Sequence, residues 1–136
     1  MIGLHANTIV APVDFSDESI AALGTALDIA DNPSDVHVVH VTPPLEVIEW
    51  VDENGRRQRA AEEVRDQLSD EKYAQVDMDI EIGDPGRRVA DFAERIGADL
   101  IVMPSHGRTG FSHMVLGSVA ERVVRLSHCP VLVLRK

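Results

Sequence analysis

Short apolar runs rich in β-branched residues alternate along the whole chain with segments of helical period, and this alternation limits the fold more than any other feature. Residues 8–13, 36–41, 76–82, 100–103 and 130–134 read as strands. The valine-rich run at 36–41, which also holds His37 and His40, has the pattern of a strand covered on both faces. At 76–82, by contrast, Val76, Met78, Ile80 and Ile82 alternate with Asp77, Asp79 and Glu81. That period of two predicts an edge strand with one solvated face, its charges discouraging unwanted pairing. The intervals are long enough for helical crossovers, so the order β-α-β-α-β-α-β-α-β predicts an α/β fold: a parallel sheet with helices on both faces. Such sheets bind ligands beyond the carboxyl ends of their strands, where strand order reverses.

The helices carry their own punctuation. Ile20, Leu23, Leu27 and Ala30 are spaced helically after Ser16, a predicted N-cap, with Asp17 and Glu18 in the first turn where the helix dipole favours negative charge. Residues 45–55 have no period and read as a loop containing Trp50, followed by a helix over 57–68 that buries Ala60, Ala61, Val64 and Leu68. Gly83-Asp84-Pro85 predicts a helix start capped by Asp84, with Val89, Ala90, Phe92, Ala93 and Ile96 inward and Gly97 as the stop. Ser118-Val119-Ala120-Glu121 has capping-box spacing and predicts Ser118 as the N-cap of a last helix that turns Val119, Val123 and Leu126 inward.

Composition narrows the class. The 136 residues are read as a single domain, 1–136, without a linker or internal repeat, and no apolar run approaches a membrane span. The first eleven residues lack the pattern of a secretory signal, so a cytoplasmic location is expected. Twenty-three acidic against 13 basic side chains give a formal charge of −10, which argues against nucleic acid as a partner. An anionic ligand then needs local positive potential or a divalent cation. Cys129 is the only cysteine, which excludes an internal disulfide and a cysteine-based zinc site; a buried, inert thiol is expected.

The stretch from Met103 to Ser118 joins a strand end to a helix start and bears glycines at 107, 110 and 117. Glycines let backbone amides approach a ligand closely, and the N–H groups near Gly117 and Ser118 are oriented by the following helix, so a phosphate fits there. Arg108 adds a charge-assisted contact. Neither a Walker P-loop nor a G-x-G-x-x-G fingerprint is present. A phosphoreceiver built on Asp14 lacks its acidic pair and a well-placed lysine. His37 and His40 are expected to be hydrogen-bonded structural histidines rather than metal ligands. Asp14, just beyond a strand, is well placed for function, with helix capping as its structural alternative.

Several separated motifs in one order carry a family likeness: Ala11-Pro12-Val13-Asp14-Phe15-Ser16, His40-Val41, Ser105-His106-Gly107-Arg108-Thr109-Gly110, Leu116-Gly117-Ser118-Val119-Ala120-Glu121-Arg122-Val123 and Cys129-Pro130-Val131-Leu132-Val133-Leu134. On these the chain resembles the universal stress protein family over about residues 6–135. The resemblance implies a UspA-like, adenine nucleotide alpha hydrolase-like fold: an open five-stranded parallel sheet of order 3-2-1-4-5. It implies a stress-response regulatory protein that binds ATP (or ADP or AMP), Mg²⁺ entering through the phosphates, with slow turnover at most. Pro12, Val13, Asp14 and Val41 would border the adenosine at the ends of strands 1 and 4, with Met103, Pro104 and His106 beside them. Gly107, Arg108, Gly117, Ser118 and Val119 would lie near the phosphates. It further implies a homodimer through the last strand, Val131, Leu132, Val133 and Leu134.

ATP-binding members carry a glycine, two residues, a second glycine, nine residues, then Gly-Ser/Thr. Gly107, Gly117 and Ser118 fit, but Pro104 stands where the first glycine is expected. Proline brings no N–H and fixes φ near −65°. Forgoing an amide hydrogen bond at that position would cost about 1–3 kcal/mol; alternatively the ring forms an apolar floor under the ribose. That departure sustains a second expectation, a nucleotide-free dimeric module that docks onto a protein partner.

Overall fold

The computed structural model describes residues 6–44, 53–106 and 116–135. Five strands, β1 (Ile9–Pro12), β2 (Val36–Thr42), β3 (Asp77–Ile82), β4 (Leu100–Pro104) and β5 (Val131–Leu134), form one parallel sheet of order β3-β2-β1-β4-β5. Between them lie α1 (Asp17–Ile29), α2 (Glu53–Gln67), α3 (Pro85–Arg95) and α4 (Ser118–Leu126). The predicted alternation and strand order are both found.

Two apolar layers sandwich the sheet. Ile9, Ala11, Val36, Val38, Leu100 and Val102 pack beneath α1 and α2, against Ala22, Leu23, Ala26 and Val64. Val10, Val39, Ile101 and Met103 face the other way, onto Val89, Phe92 and Ala93 of α3 and Ala120 and Val123 of α4. Because the central strands bury both faces, each fully enclosed Val or Ile contributes roughly 1.5–3 kcal/mol, which explains their valine and isoleucine content. β3 lies at one edge, as its alternating acids predict, and β5 at the other.

The helix starts differ from one another. Ser16 Oγ accepts a hydrogen bond from Ser19 N at 3.1 Å, capping α1, and Asp84 Oδ2 accepts from Arg87 N at 3.0 Å, capping α3. Gly97, at φ +68, closes α3 as predicted. Ser118, however, is not the cap of α4: it is the first helical residue, and Gly117, which has no side chain to bond the first turn, takes the cap position. The strand-to-helix connection is pulled one residue tighter because Gly117 N donates to Ser105 O at 2.7 Å. Within α4, Ala120 and Val123 are buried while Leu126 is only half-buried.

Two further expectations change. Helix α2 begins at Glu53 rather than Arg57 and runs through Gly55, a poor helix former. Its first turns are tied down by tertiary contacts, since Arg56 donates to Pro43 O and Arg57 Nη1 donates to Ile80 O at 2.6 Å. Cys129 is half-buried rather than enclosed, and Ser127 Oγ lies 3.5 Å from its sulfur. Trp50 falls outside the described residues.

Candidate functional site

Strands β1 and β4 are neighbours, yet they pair only through Ile9↔Leu100 and Val10↔Ile101. On their other sides each continues to its end, β1 to Pro12↔Val39 and β4 to Pro104↔Leu134. The two strands therefore part at their carboxyl ends, at the point where strand order reverses. Both departing ends are prolines. Val13 N donates to Val39 O, and Ser105 N donates to Leu134 O, each at 2.9 Å. By the alternation of a parallel ladder, the nitrogens of Pro12 and Pro104 face the opening between the strands. Neither carries a hydrogen, so neither nitrogen can donate a ladder bond that would draw the strands together.

A cleft of about 770 Å³ opens there. It is lined by Pro12, Val13, Asp14, Val41, Met103, Pro104, Gly117, Ser118 and Val119, all expected from the sequence, together with Phe15, His40, Arg56, Arg59 and Glu63, which were not. Pro104 is buried in the cleft floor. His106 is not among the lining residues; its Nδ1 lies 3.2 Å from Ser105 Oγ, and its buried Nε2 has no partner among the described residues. Gly107 and Arg108 lie outside the described residues.

On the β1 side the wall is held by a dense local network. Asp14 Oδ1 accepts from Ser16 N at 3.1 Å and from Ser16 Oγ at 2.5 Å, so this carboxylate supports the α1 cap while also bordering the cleft. Asp14 N donates to Ser19 Oγ at 3.3 Å. Phe15 adopts φ +69, a left-handed conformation costly for a residue with a large side chain. Gln67 Nε2 donates to the Phe15 carbonyl at 3.3 Å, and the Phe15 ring lies 4.5 Å from that of His40. His40 is 9% exposed and its Nδ1 lies 2.7 Å from Val13 O, the structural hydrogen bond expected of it.

The β4 side is the opposite in character. Gly117 packs so closely on the β4 end that a Cβ there would stand 2.9 Å from Ser105 O, so glycine is required by proximity, its φ of −72° being ordinary. Among the described residues no side chain caps α4, and Ser118, Val119 and Ala120 of its first turn line the cleft. Arg56 and Arg59, from the opposite face of the sheet, put positive charge on the facing wall of a chain whose net charge is −10. Sequence periodicity gave no sign of these two, because α2 shows only its buried Ala60 and Val64 stripe; their position depends on how α2 docks. Among the described residues no group of three or more His, Cys, Asp or Glu side chains is placed to hold a metal ion, and no helix is long and apolar enough to cross a membrane.

Known proteins resemble the chain in sequence and in fold. The universal stress protein MJ0531 of Methanocaldococcus jannaschii is 38% identical, over 94% of this chain and 81% of its own. The universal stress protein YxiE of Bacillus subtilis is 31% identical, over 95% and 99%. The solved structure of MJ0577 from M. jannaschii superposes with a TM-score of 0.74 at 28% identity, over 96% of both chains. A universal stress protein solved in complex with cAMP shares the fold, with a TM-score of 0.69 at 20% identity over 95% and 97%. The model of the universal stress protein family matches residues 5–135, which includes every strand, every helix and both walls of the cleft. On sequence and on fold alike, the chain belongs to the universal stress protein family.

Proposed function

We propose that this chain is a stress-response regulatory protein that binds an adenine nucleotide in the cleft at the carboxyl ends of β1 and β4, and acts through a change of conformation or assembly. The observation that carries the reading is the uncapped start of α4 beside a glycine packed too tightly to be replaced, facing an opening with an apolar floor. Unbonded N–H groups at a helix start favour a phosphate. Pro12, Val41, Met103 and Pro104 offer apolar surface to a base and ribose. Arg56 and Arg59 supply the local positive charge that an anionic ligand requires in so acidic a chain. Mg²⁺ would be held through the phosphates of ATP rather than by a carboxylate cluster. Among the described residues the cleft offers binding groups and no nucleophile paired with a base, so the turnover expected is slow at most.

Pro104 bears on affinity in a specific way. Its nitrogen faces the opening, so a glycine amide there would have had a donor to offer. The proline substitutes an apolar surface, which predicts weakened rather than abolished binding. Pro104 is also what supports the second reading, a nucleotide-free module that docks onto a protein partner.

The discriminating experiment releases small molecules from undialysed protein for identification by mass, then titrates ATP with Mg²⁺, ADP, AMP and cAMP into the stripped protein by calorimetry. Co-purified adenine nucleotide, or saturable binding in the micromolar range, is the expected result. Absence of both up to millimolar ATP would favour the docking module. We place the protein in the cytoplasm as a homodimer through β5. The four residues of that strand are half-buried and wholly apolar, and as an edge they offer unpaired backbone groups to a two-fold mate. Light scattering on Val133→Lys is expected to give a monomer mass; an unchanged dimer would refute this interface.

A further inference from the structure

Among the described residues Phe15 is the one residue other than glycine with a positive φ, at +69°. That left-handed conformation is costly for a large side chain, whereas glycine takes it freely. Something must hold it. Asp14 and Ser16, on either side, bond to one another and to Ser19, all within the corner. The Phe15 carbonyl is instead reached from 52 residues away, by Nε2 of Gln67, the last residue of α2, at 3.3 Å. A carbonyl oxygen only accepts, so the amide must turn its nitrogen toward Phe15 and its own oxygen away. Among the described residues that oxygen, Gln67 Oε1, is buried with no partner. A buried acceptor left unbonded lowers stability, so packing alone does not account for a glutamine at this position.

Asp14 and Phe15 line the cleft, and so do Arg56, Arg59 and Glu63 of the helix that ends in Gln67. The bond from Gln67 to Phe15 therefore joins two walls of one site. From this geometry we infer that Gln67 is a positioning residue for the ligand: it holds the Phe15 carbonyl, keeps the backbone in its left-handed turn, and so fixes the shape of the β1 wall. Strained segments persist only where their surroundings impose them. Without the amide, Phe15 relaxes toward negative φ, the wall keeps its binding shape for only a fraction of the time, and affinity falls by that fraction. Gln67 touches no ligand in this role; it acts through Phe15. The role rests on the nucleotide reading and deepens it, because it names what holds the β1 side of that cleft in place.

Gln67→Glu is nearly isosteric, but its carboxylate has no hydrogen to give to Phe15 O. At neutral pH its ATP affinity in calorimetry should fall about fivefold, the order of one hydrogen bond. A carboxyl facing a carbonyl oxygen favours its protonated form, which can donate again. At about pH 4 the deficit, measured against wild type at the same pH, should therefore shrink to within about twofold. Gln67→Ala should weaken ATP to a similar degree at neutral pH. On a Phe15→Gly background the same substitution should change affinity by less than about twofold, because glycine adopts this turn unaided. A further readout is the ¹³C shifts of Phe15, which follow its backbone: they should move in Gln67→Ala and return when ATP saturates the protein. Wild-type affinity in Gln67→Glu at neutral pH, a deficit indifferent to pH, an equal Gln67→Ala loss with and without Phe15→Gly, or Phe15 shifts unmoved in Gln67→Ala would each overturn the role while leaving nucleotide binding intact. Failure of the wild type to bind ATP would instead sink the nucleotide reading and this role with it.

Discussion

The corner between β1 and α1 and the corner between β4 and α4 occupy equivalent places, each a strand end turning into a helix start at the mouth of the same cleft, yet they are built on opposite principles. At the first, the chain satisfies itself: Ser16 caps α1, Asp14 holds Ser16, and Ser19 Oγ donates to Ser16 O at 2.9 Å while accepting from Asp14 N. At the second, Gly117 leaves the start of α4 without a side-chain cap. One wall has its polar groups bonded internally; at the other, among the described residues, no side chain takes the first N–H groups of α4. Since capping stabilises a helix by about 1 kcal/mol, leaving α4 without a cap forgoes stability that α1 and α3 both retain, as expected of a functional site.

Substitutions can erase or sharpen this contrast. The largest effect is expected from Gly117→Asp, which turns the open corner into a closed one: its Cβ would meet Ser105 O at 2.9 Å, and its carboxylate would take the helix N–H groups and repel a phosphate. ATP affinity should fall by more than about a hundredfold in calorimetry, a loss of roughly 3 kcal/mol. Undiminished binding would show that the α4 start is not the phosphate site.

Next comes Ser16→Ala, which opens the closed corner. Loss of the α1 cap should lower stability by about 1–2 kcal/mol in urea denaturation, and because Asp14 loses a partner, ATP binding should weaken too, but less than in Gly117→Asp. An equal loss of affinity in both variants would mean that the two corners are not functionally distinct.

The smallest effect is expected at the third helix start, that of α3. The Arg87 N–H and then the Arg122 guanidinium, 3.0 Å away, hold the Asp84 carboxyl below the usual carboxylate range. A folded value below the unfolded one adds stability that is present in full above about pH 4 and is lost as the pH falls through the lowered folded value. Asp84→Asn keeps a capping side chain and removes only the charge. Near neutral pH it should cost about 0.5 kcal/mol, the scale of an exposed pair, and its acid denaturation should lack this part of the wild-type decline below about pH 4. Indistinguishable acid profiles would show that Asp84 carries no such linkage.

Much of the fold is legible in the sequence, because period and punctuation are local. The valine-rich β2, the alternating acids of β3, the Ser16 and Asp84 caps and the Gly97 stop are all where the residues indicate. The misreadings share a cause. Ser118 has the chemistry of a cap, but the bond from Gly117 N to Ser105 O shifts the start of α4. Residues 53–56 have weak helical propensity, but anchoring of Arg56 and Arg57 extends α2 over them. In both cases tertiary packing overrode local preference.

For the site, local sequence was enough to mark the strand ends that could matter, the places of glycine and proline, and an acidity that makes local positive charge necessary for an anion. Packing between distant segments is what turns Pro12 and Pro104 toward one another's strands across the parting of β1 and β4, brings Arg56 and Arg59 to the cleft from the opposite face of the sheet, and bonds His40 to Val13. The physical reason is separation along the chain. Propensity and period are set by residues a few positions apart, whereas the cleft is assembled from segments on β1, β2, α2, β4 and α4, and which atoms face it depends on the packing that brings them together.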